Sequence, residues 1–185
     1  LRSLQNRDGG WPTFCRGWQK LPFDQSAPDL TAHALRALQA LGMAEHPAYT
    51  AGWVYLRNVQ REDGSFAPLW FGCEEAPDEA NAAYGTAHVL LACTDAGAEA
   101  ASLREKALAW LRSIQNPDGG FGGCKGARST GEETGLALRA LATQPRAAVP
   151  QEACERGAQW LIERQRADGS WDPAPIGFYF AVLWY

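Results

Sequence analysis

Gln60-Arg-Glu-Asp-Gly-Ser-Phe66 is the stretch of sequence that decides the fold, because its pattern occurs four times along the chain. The other copies are Gln5-Asn-Arg-Asp-Gly-Gly-Trp11, Gln115-Asn-Pro-Asp-Gly-Gly-Phe121 and Gln165-Arg-Ala-Asp-Gly-Ser-Trp171. Successive glutamines are 55, 55 and 50 residues apart. The unit Gln-x-x-Asp-Gly-[Gly/Ser]-aromatic at a period of about 50 residues predicts a stacked repeat architecture.

Each copy of the motif lies between two stretches of helical character. Apolar residues at helical spacing precede it, in residues 51–56, 107–111 and 157–162. Stretches rich in alanine and leucine follow it, in residues 29–38, 83–92 and 133–141. The Asp-Gly step favours a turn with positive φ, which predicts that the preceding helix ends there.

Outer helices, turns and small-residue inner helices that repeat in this way predict an all-α fold, with about seven helices in part of an α/α toroid. The 185 residues are 46% hydrophobic, enough for one core, so residues 1–185 are predicted to form a single domain. The chain opens on Leu1 without a methionine, and we expect it to be a fragment of something longer.

Charge and cysteine usage exclude several classes of function. Only 21% of residues are charged and the net charge is −4, which argues against a nucleic-acid partner. No run of 18 apolar residues and no leader-like N-terminus occurs, so neither a membrane span nor secretion is predicted. The five cysteines never form a CxxC pair, which favours reduced thiols over a zinc knuckle or a disulfide framework.

The motif residues have a predicted structural role. The glutamine amide is expected to bind backbone groups of an adjacent helix end, with the aromatic ring over it. The residues concerned are Gln5, Trp11, Gln60, Phe66, Gln115, Phe121, Gln165 and Trp171. Acidic residues at turns and helix starts are expected to be solvated caps; they are Asp24, Asp29, Glu74, Glu75, Asp78, Glu79, Glu132 and Glu133.

These motifs resemble the QW repeats of the terpene cyclase/mutase superfamily. The order of features along essentially the whole chain is similar to the C-terminal part of squalene–hopene cyclases: Asp29-Leu-Thr-Ala-His33, Asp63-Gly-Ser-Phe66 with Trp70, Tyr84-Gly-Thr86, residues 115–120 and Gly177-Phe-Tyr179. The resemblance implies class II triterpene cyclisation, in which an Asp-x-Asp-Asp acid protonates a polyene and aromatic faces stabilise the carbocations. It implies neither a metal nor a cofactor.

The resemblance also assigns individual residues. His33 corresponds to the histidine that hydrogen-bonds the catalytic acid. The implied substrate-binding residues are Phe66, Trp70, Tyr84, Phe178 and Tyr185. An aromatic core stripe explains Phe178 and Tyr185 as well. Phe23 matches a family phenylalanine more loosely, and His88, in an equivalent Thr-Ala-His, is expected to pack only.

The Asp-x-Asp-Asp motif does not occur in these 185 residues. We therefore expect the acid in an N-terminal remainder of the cyclase, and no activity from the isolated chain. The implied partners are an apolar, squalene-like polyene, that remainder, and a membrane surface on which the parent protein would dock peripherally in the cytoplasm.

Two other functions stay open at this point. A non-catalytic QW-repeat module that binds isoprenoids or serves as a scaffold fits the missing acid. A protein prenyltransferase β-like domain is suggested by Asp118-Gly-Gly-Phe-Gly-Gly123. Such domains need Asp, Cys and His zinc ligands, and no Asp-x-Cys pairing occurs in the sequence.

Overall fold

The fold is helical, as the sequence predicts, and six α-helices form within the part of the chain that the structure describes. A computed structural model describes residues 2–21, 23–94, 96–174 and 177–178. The helices are α1 (Pro28–Ala40), α2 (Pro47–Val59), α3 (Ala82–Cys93), α4 (Ala101–Ser113), α5 (Gly131–Ala142) and α6 (Gln151–Arg164). The sequence predicts about seven helices for the whole chain, and these six lie in the described residues.

Short segments connect the helices. Short 3-10 turns lie at Arg2–Leu4, Ala98–Ala100 and Arg146–Ala148. Strand β1 (Trp11–Pro12) pairs antiparallel with β2 (Ser26–Ala27), and β3 (Phe71–Gly72) pairs antiparallel with β4 (Gly177–Phe178). Each pair holds the chain just before or after an inner helix, so the strands position loops rather than form a sheet core.

The helices form two layers. Helices α1, α3 and α5 pack side by side in an inner row, and α2, α4 and α6 pack behind α1, α3 and α5 respectively. Alanines at the contacts, among them Ala32, Ala87 and Ala140, are fully buried and let the inner helices approach closely. The opposite side of the inner row keeps solvent-accessible side chains; we call it the inner face, formed by His33, Arg36, Tyr84, His88 and Arg139.

The motif forms a turn of its own rather than a helix C-cap. Helix α2 ends before Gln60, which is extended, with φ −63° and ψ 126°. The Gly64 N–H then donates to the Arg61 carbonyl (2.9 Å), and the Asp63 carboxylate accepts from the Ser65 N–H (2.9 Å). Gly64 has φ 95°, and the matching glycines have φ of 92°, 94° and 86°. The predicted positive φ is present, but the predicted helix end at Asp-Gly was wrong, because the glutamine leaves the helix first.

The glutamine amides connect successive repeats. Nε2 of Gln60 donates to the carbonyl of Gly64 in its own turn and to that of Leu103 in the first turn of α4, both at 3.0 Å. The same two bonds join Gln5 to Gly9 and Ala48, and Gln115 to Gly119 and Ala153, all at 2.8 Å. Each side chain thereby satisfies a carbonyl of its own loop and one of the next outer helix.

The motif aromatics are core residues that also anchor the inner helices. Trp11, Phe66 and Phe121 are 3%, 0% and 0% exposed. Their backbone N–H groups donate to the hydroxyls of Thr31, Thr86 and Thr134 on α1, α3 and α5, at 3.0, 2.9 and 2.9 Å. This threonine bond was not predicted, although a threonine within an alanine-rich buried helix is a visible signal for it.

The fourth copy of the motif differs from the other three. Gln165 bonds only the carbonyl of Gly169, at 2.9 Å, among the described residues. Trp171 is 38% exposed, and its indole N–H donates to the Leu161 carbonyl instead. Within the described residues this turn therefore keeps the bond inside its own loop but lacks the second glutamine bond to a following outer helix.

Candidate functional site

Four side-chain rings form a continuous array along the inner face. The ring of Phe71 stacks on Tyr84 at a centroid distance of 3.9 Å. Tyr84 lies 4.5 Å from His88, and His88 lies 4.6 Å from His33. Tyr84 and His88 are four residues apart on α3, so they share one side of that helix. We call Phe71, Tyr84, His88 and His33 the four-ring array; it joins β3, α3 and α1 in one surface.

Hydrogen bonds at the start of α3 hold the array in place. The side-chain oxygen of Asn81 accepts from the Tyr84 N–H (3.0 Å) and caps the helix. Its amide group donates to the Glu133 carboxylate on α5 (2.8 Å). The helix that carries Tyr84 and His88 is therefore fixed at its N-terminus to the neighbouring inner helix.

Both histidines of the array are neutral near pH 7. Burial, followed by the charges of His33, Arg139 and Arg36, lowers the pKa of His88 to about 4. Burial and then Arg36 and Arg139 lower the pKa of His33. Nδ1 of His88 is buried without a hydrogen-bond partner among the described residues. Neutral imidazoles of this kind can hydrogen-bond an acid or take up a proton. His88 was predicted to have a packing role. Its ring does pack against Tyr84 and His33, and the structure adds a buried Nδ1 without a hydrogen-bond partner among the described residues.

Asp29 is a buried acid at the start of α1. Its side chain is 2% exposed, and Oδ1 has no hydrogen-bond partner among the described residues. Burial raises the pKa of Asp29 to about 6, against the opposing effect of its own backbone N–H and that of Leu30. Asp29 lies in the first turn of α1, as the sequence predicts, but its predicted solvation was wrong, because this turn packs against β1 and β2.

Two more acidic residues were wrongly predicted to be solvated. Asp24 is 3% exposed and accepts from the N–H groups of Trp18 and Leu21, at 3.0 and 2.8 Å, which shapes the preceding loop. Glu133 is 7% exposed and accepts from Asn81. Glu74, Glu75, Asp78, Glu79 and Glu132 are exposed. Backbone and amide donors compensate the buried carboxylates in place of water.

The residues predicted to bind substrate fall in different places. Tyr84 belongs to the four-ring array. Phe66 is fully buried in the core and presents no surface to the inner face. Trp70 is 9% exposed; its indole N–H donates to the Thr13 hydroxyl and its ring meets Phe14 edge-on at 6.0 Å.

The two predicted substrate-binding residues nearest the C-terminus are Phe178 and Tyr185. The backbone of Phe178 pairs with Phe71, which brings β4 to the edge of the array. The side chain of Phe178 and the whole of Tyr185 lie outside the described residues.

The described residues contain neither a metal-binding cluster nor a membrane-spanning helix. Among the described residues, no three or more His, Cys, Asp or Glu side chains are grouped to hold a metal ion. In the same part of the chain, no helix is both long and apolar enough to cross a bilayer. Apolar exposure is concentrated instead in the loop before α1, where Phe14 is 71% and Trp18 is 85% exposed.

Small-residue inner helices, Gln-aromatic turns and an inner face lined by rings together define a toroid domain of the terpene cyclase type. Comparison with known families agrees: residues 1–79 and 69–178 match the squalene-hopene cyclase C-terminal domain. The chain belongs to this family. That match favours the cyclase branch over a prenyltransferase β-like domain.

Relatives of known name include two kinds of cyclase. The chain is 33% identical over 198 residues to the squalene–hopene cyclase of Bradyrhizobium diazoefficiens, covering 93% of the chain and 28% of that protein. It is 32% identical over 182 residues to drimenyl diphosphate synthase of Streptomyces showdoensis, covering 95% and 31%. The chain thus spans about three tenths of the length of these relatives.

Solved structures share the fold. The ent-copalyl diphosphate synthase from Streptomyces platensis aligns with a TM-score of 0.68 and 24% identity, over 90% of this chain and 31% of that one. A type II terpene cyclase, MstE from Scytonema, was solved with merosterolic acid A as product. It aligns with a TM-score of 0.65 and 23% identity, over 93% and 49%. At this identity the likeness concerns the fold alone.

Proposed function

We propose that this chain forms part of the cavity of a class II terpene cyclase that cyclises an apolar polyene after protonation, with squalene as the first substrate to test. The observation that carries the proposal is the four-ring array on the inner face of a chain in this family. Aromatic faces attract cations through the ring quadrupole, and a partly buried surface excludes water that would quench them.

Within this proposal His33 positions the acid and Tyr84 contacts the reacting polyene. Burial and the nearby arginines lower the pKa of His33, which favours the neutral imidazole, and a neutral imidazole N–H can donate a hydrogen bond to a carboxyl group. Burial and the charges of Asp29 and Glu132 raise the pKa of Tyr84 to about 12, which keeps the phenol protonated. An acid supplied from outside the described residues would complete the site.

A second substrate class is favoured by the arginines of the inner face. Arg36 on α1 and Arg139 on α5 each lie five residues after the threonine that anchors a motif aromatic, so they occupy equivalent repeat positions. Neither forms an ion pair within the described part of the chain. Guanidinium groups bind phosphates well, so an isoprenoid diphosphate is the alternative substrate.

The proposed location is peripheral on the cytoplasmic face of a membrane. The loop of residues 13–21 exposes Phe14 and Trp18, and it carries Arg16 and Lys20 beside them. Aromatic side chains flanked by cations suit the interface between acyl chains and anionic headgroups.

The test is to express the full-length protein that contains this chain and to assay it with squalene and with geranylgeranyl diphosphate. Mass spectrometry of extracted products identifies cyclic triterpene or cyclic diterpenoid diphosphate. The variant His33→Ala is expected to lower turnover at least tenfold and Tyr84→Ala to change yield or product. His46→Asn is the matched control, since His46 caps α2 in the outer layer and asparagine keeps the cap.

Three outcomes separate the alternatives. A triterpene that forms with the wild-type protein and is lost in His33→Ala supports squalene as the substrate. A cyclic diphosphate product whose yield falls in Arg139→Gln supports an isoprenoid diphosphate as the substrate. Polyene binding without any product would overturn the catalytic proposal in favour of an isoprenoid-binding module.

A further inference from the structure

Two cysteines that are far apart in the sequence meet at one edge of the inner row. Cys73 follows β3, and Cys124 lies in the loop after the third motif. The Cys73 thiol lies near enough to Cys124 to raise the pKa of that thiol. The backbone of Gly123 lies against Cys73 so closely that a Cβ at residue 123 would stand 2.7 Å from Cβ and 2.9 Å from Sγ of Cys73. A side chain at residue 123 would collide with Cys73, so glycine at this position lets the loop before Cys124 lie against Cys73.

Hydrogen bonds hold the two loops in register. The Ala83 N–H donates to the carbonyl of Gly123 at 2.9 Å. The Glu75 carboxylate accepts from the Arg128 N–H at 3.1 and 3.2 Å. The Cys73 N–H donates to the Glu79 carbonyl at 2.8 Å. Because both loops are anchored by bonds within and between them, the thiols are kept together rather than brought together by chance.

We propose that Cys73 and Cys124 form a reversible disulfide when the protein meets a low-molecular-weight disulfide such as oxidised glutathione. One cysteine thiolate attacks a glutathione sulfur, the glutathione S–S bond breaks, and a glutathione thiolate leaves. The second cysteine thiolate then displaces the other glutathione from the mixed disulfide. Two protein thiols lose two electrons and two protons in total, and two glutathione thiols receive them.

The rate of disulfide formation depends on how accessible the two thiols are to the oxidant and on how readily they ionise. Cys73 and Cys124 are both half-buried, so the oxidant reaches them, whereas Cys93 is fully buried. Burial and the adjacent Cys73 thiol raise the pKa of Cys124 to about 11. Because the thiolate is the nucleophile, the reaction is slow at pH 7 and faster at pH 9.

The disulfide would act on the candidate site through β3. Phe71 lies two residues before Cys73 and stacks on Tyr84 in the four-ring array. A covalent link from Cys73 to the third-motif loop therefore fixes one end of the array to the adjacent repeat. This inference does not depend on the substrate, and its test does not require cyclase activity.

The experiment is to incubate the full-length protein with oxidised glutathione at pH 7 and pH 9, block remaining thiols with iodoacetamide, and map disulfides by mass spectrometry. Trypsin cuts between the two cysteines at Arg104 and Arg112, and a glutamate-specific protease cuts at Glu79, which separates Cys73 from Cys93. The expected result is a Cys73–Cys124 cross-linked peptide that forms faster at pH 9 and disappears with dithiothreitol.

Control variants make the result specific. Cys154→Ser removes another half-buried thiol and is expected to leave the cross-link unchanged. Cys124→Ser is expected to abolish it, with Cys73 then recovered as a glutathione adduct; a circular dichroism spectrum verifies that the helices are intact. The proposal is overturned if the wild-type protein gives separate glutathione adducts on Cys73 and Cys124, if both stay reduced, or if either pairs with another cysteine.

Discussion

His88 belongs to the four-ring array and Asp29 lies at the start of the adjacent helix α1, and the charged forms of both side chains are unfavourable. The Asp29 carboxyl is buried with one unpaired oxygen, and its pKa is about 6; the pKa of His88 is about 4. Both shifts arise chiefly from burial, which disfavours ions in a medium of low polarity. Buried groups of this kind lower the stability of the folded protein when they are charged, so their replacement should have a measurable effect.

The first prediction concerns Asp29→Asn. Its folded-state pKa lies above the unfolded value of 3.8, so the protonated acid favours folding below pH 3.8 and this contribution is lost as pH rises through 6. At pH 8 asparagine avoids the buried charge and is expected to stabilise the protein by ~1–3 kcal/mol. Urea unfolding at pH 5 and pH 8 measures the difference. Equal gains in Asp29→Asn and in the exposed-site control Glu105→Gln at pH 8 would contradict it.

The second prediction concerns His88→Gln. The folded-state pKa of about 4 lies below the unfolded value of 6.5, so the unfolded chain binds the proton first. Stability is therefore fully present above pH 6.5 and is lost as pH falls toward 4. Glutamine does not titrate and should flatten that part of the profile. Thermal unfolding between pH 7 and pH 4.5, with His46→Asn as the control, tests this; an unchanged slope would refute it.

At the scale of elements, the motif turn is repeated four times but packed only three times within the described residues. Gln115 bonds the carbonyls of Gly119 and Ala153, whereas Gln165 bonds only that of Gly169 among the residues that the structure describes. Loss of a buried hydrogen-bond donor leaves the carbonyls unsatisfied. The two glutamines thus provide a matched pair, equivalent in their position in the motif and different in their surroundings.

The third prediction follows from this pair. Gln115→Ala is expected to lower the free energy of unfolding by ~1–3 kcal/mol, because two carbonyls lose their partner. Gln165→Ala is expected to change it by less than about 0.5 kcal/mol, as for most exposed substitutions. Urea denaturation of the 185-residue chain compares them. A loss for Gln165→Ala as large as that for Gln115→Ala would show that the amide stabilises its own turn rather than the contact between repeats.

The elements were predictable from the sequence, and the contacts between them were less so. The repeat period and apolar spacing predicted the six helices of the described residues, because those signals are local. The burial of Asp29 and the pairing of His33 with His88 depend on which helices become neighbours, and periodicity does not encode that. Phe66 shows the same limit: a family correspondence suggested substrate contact, while packing buries the ring completely.

At the scale of the molecule, two separate surfaces carry aromatic rings beside cationic side chains. The inner face carries the arginines and rings, while the loop of residues 13–21 exposes large apolar side chains beside cations. Asp24 fixes that loop through the N–H groups of Trp18 and Leu21. The exposed rings are therefore presented on an ordered loop, a geometry suited to shallow insertion at an interface.

The last prediction tests that surface directly. The full-length protein is expected to bind vesicles that contain phosphatidylglycerol more tightly than neutral vesicles, because Arg16 and Lys20 flank the rings. The double substitution of Phe14 and Trp18 by serine should weaken sedimentation with either vesicle at least tenfold, since burial of apolar area drives insertion. Trp171→Ser is the matched control, because Trp171 is also exposed but lies beyond α6. If the double variant binds vesicles as well as the control does, the loop of residues 13–21 is not the membrane-binding surface.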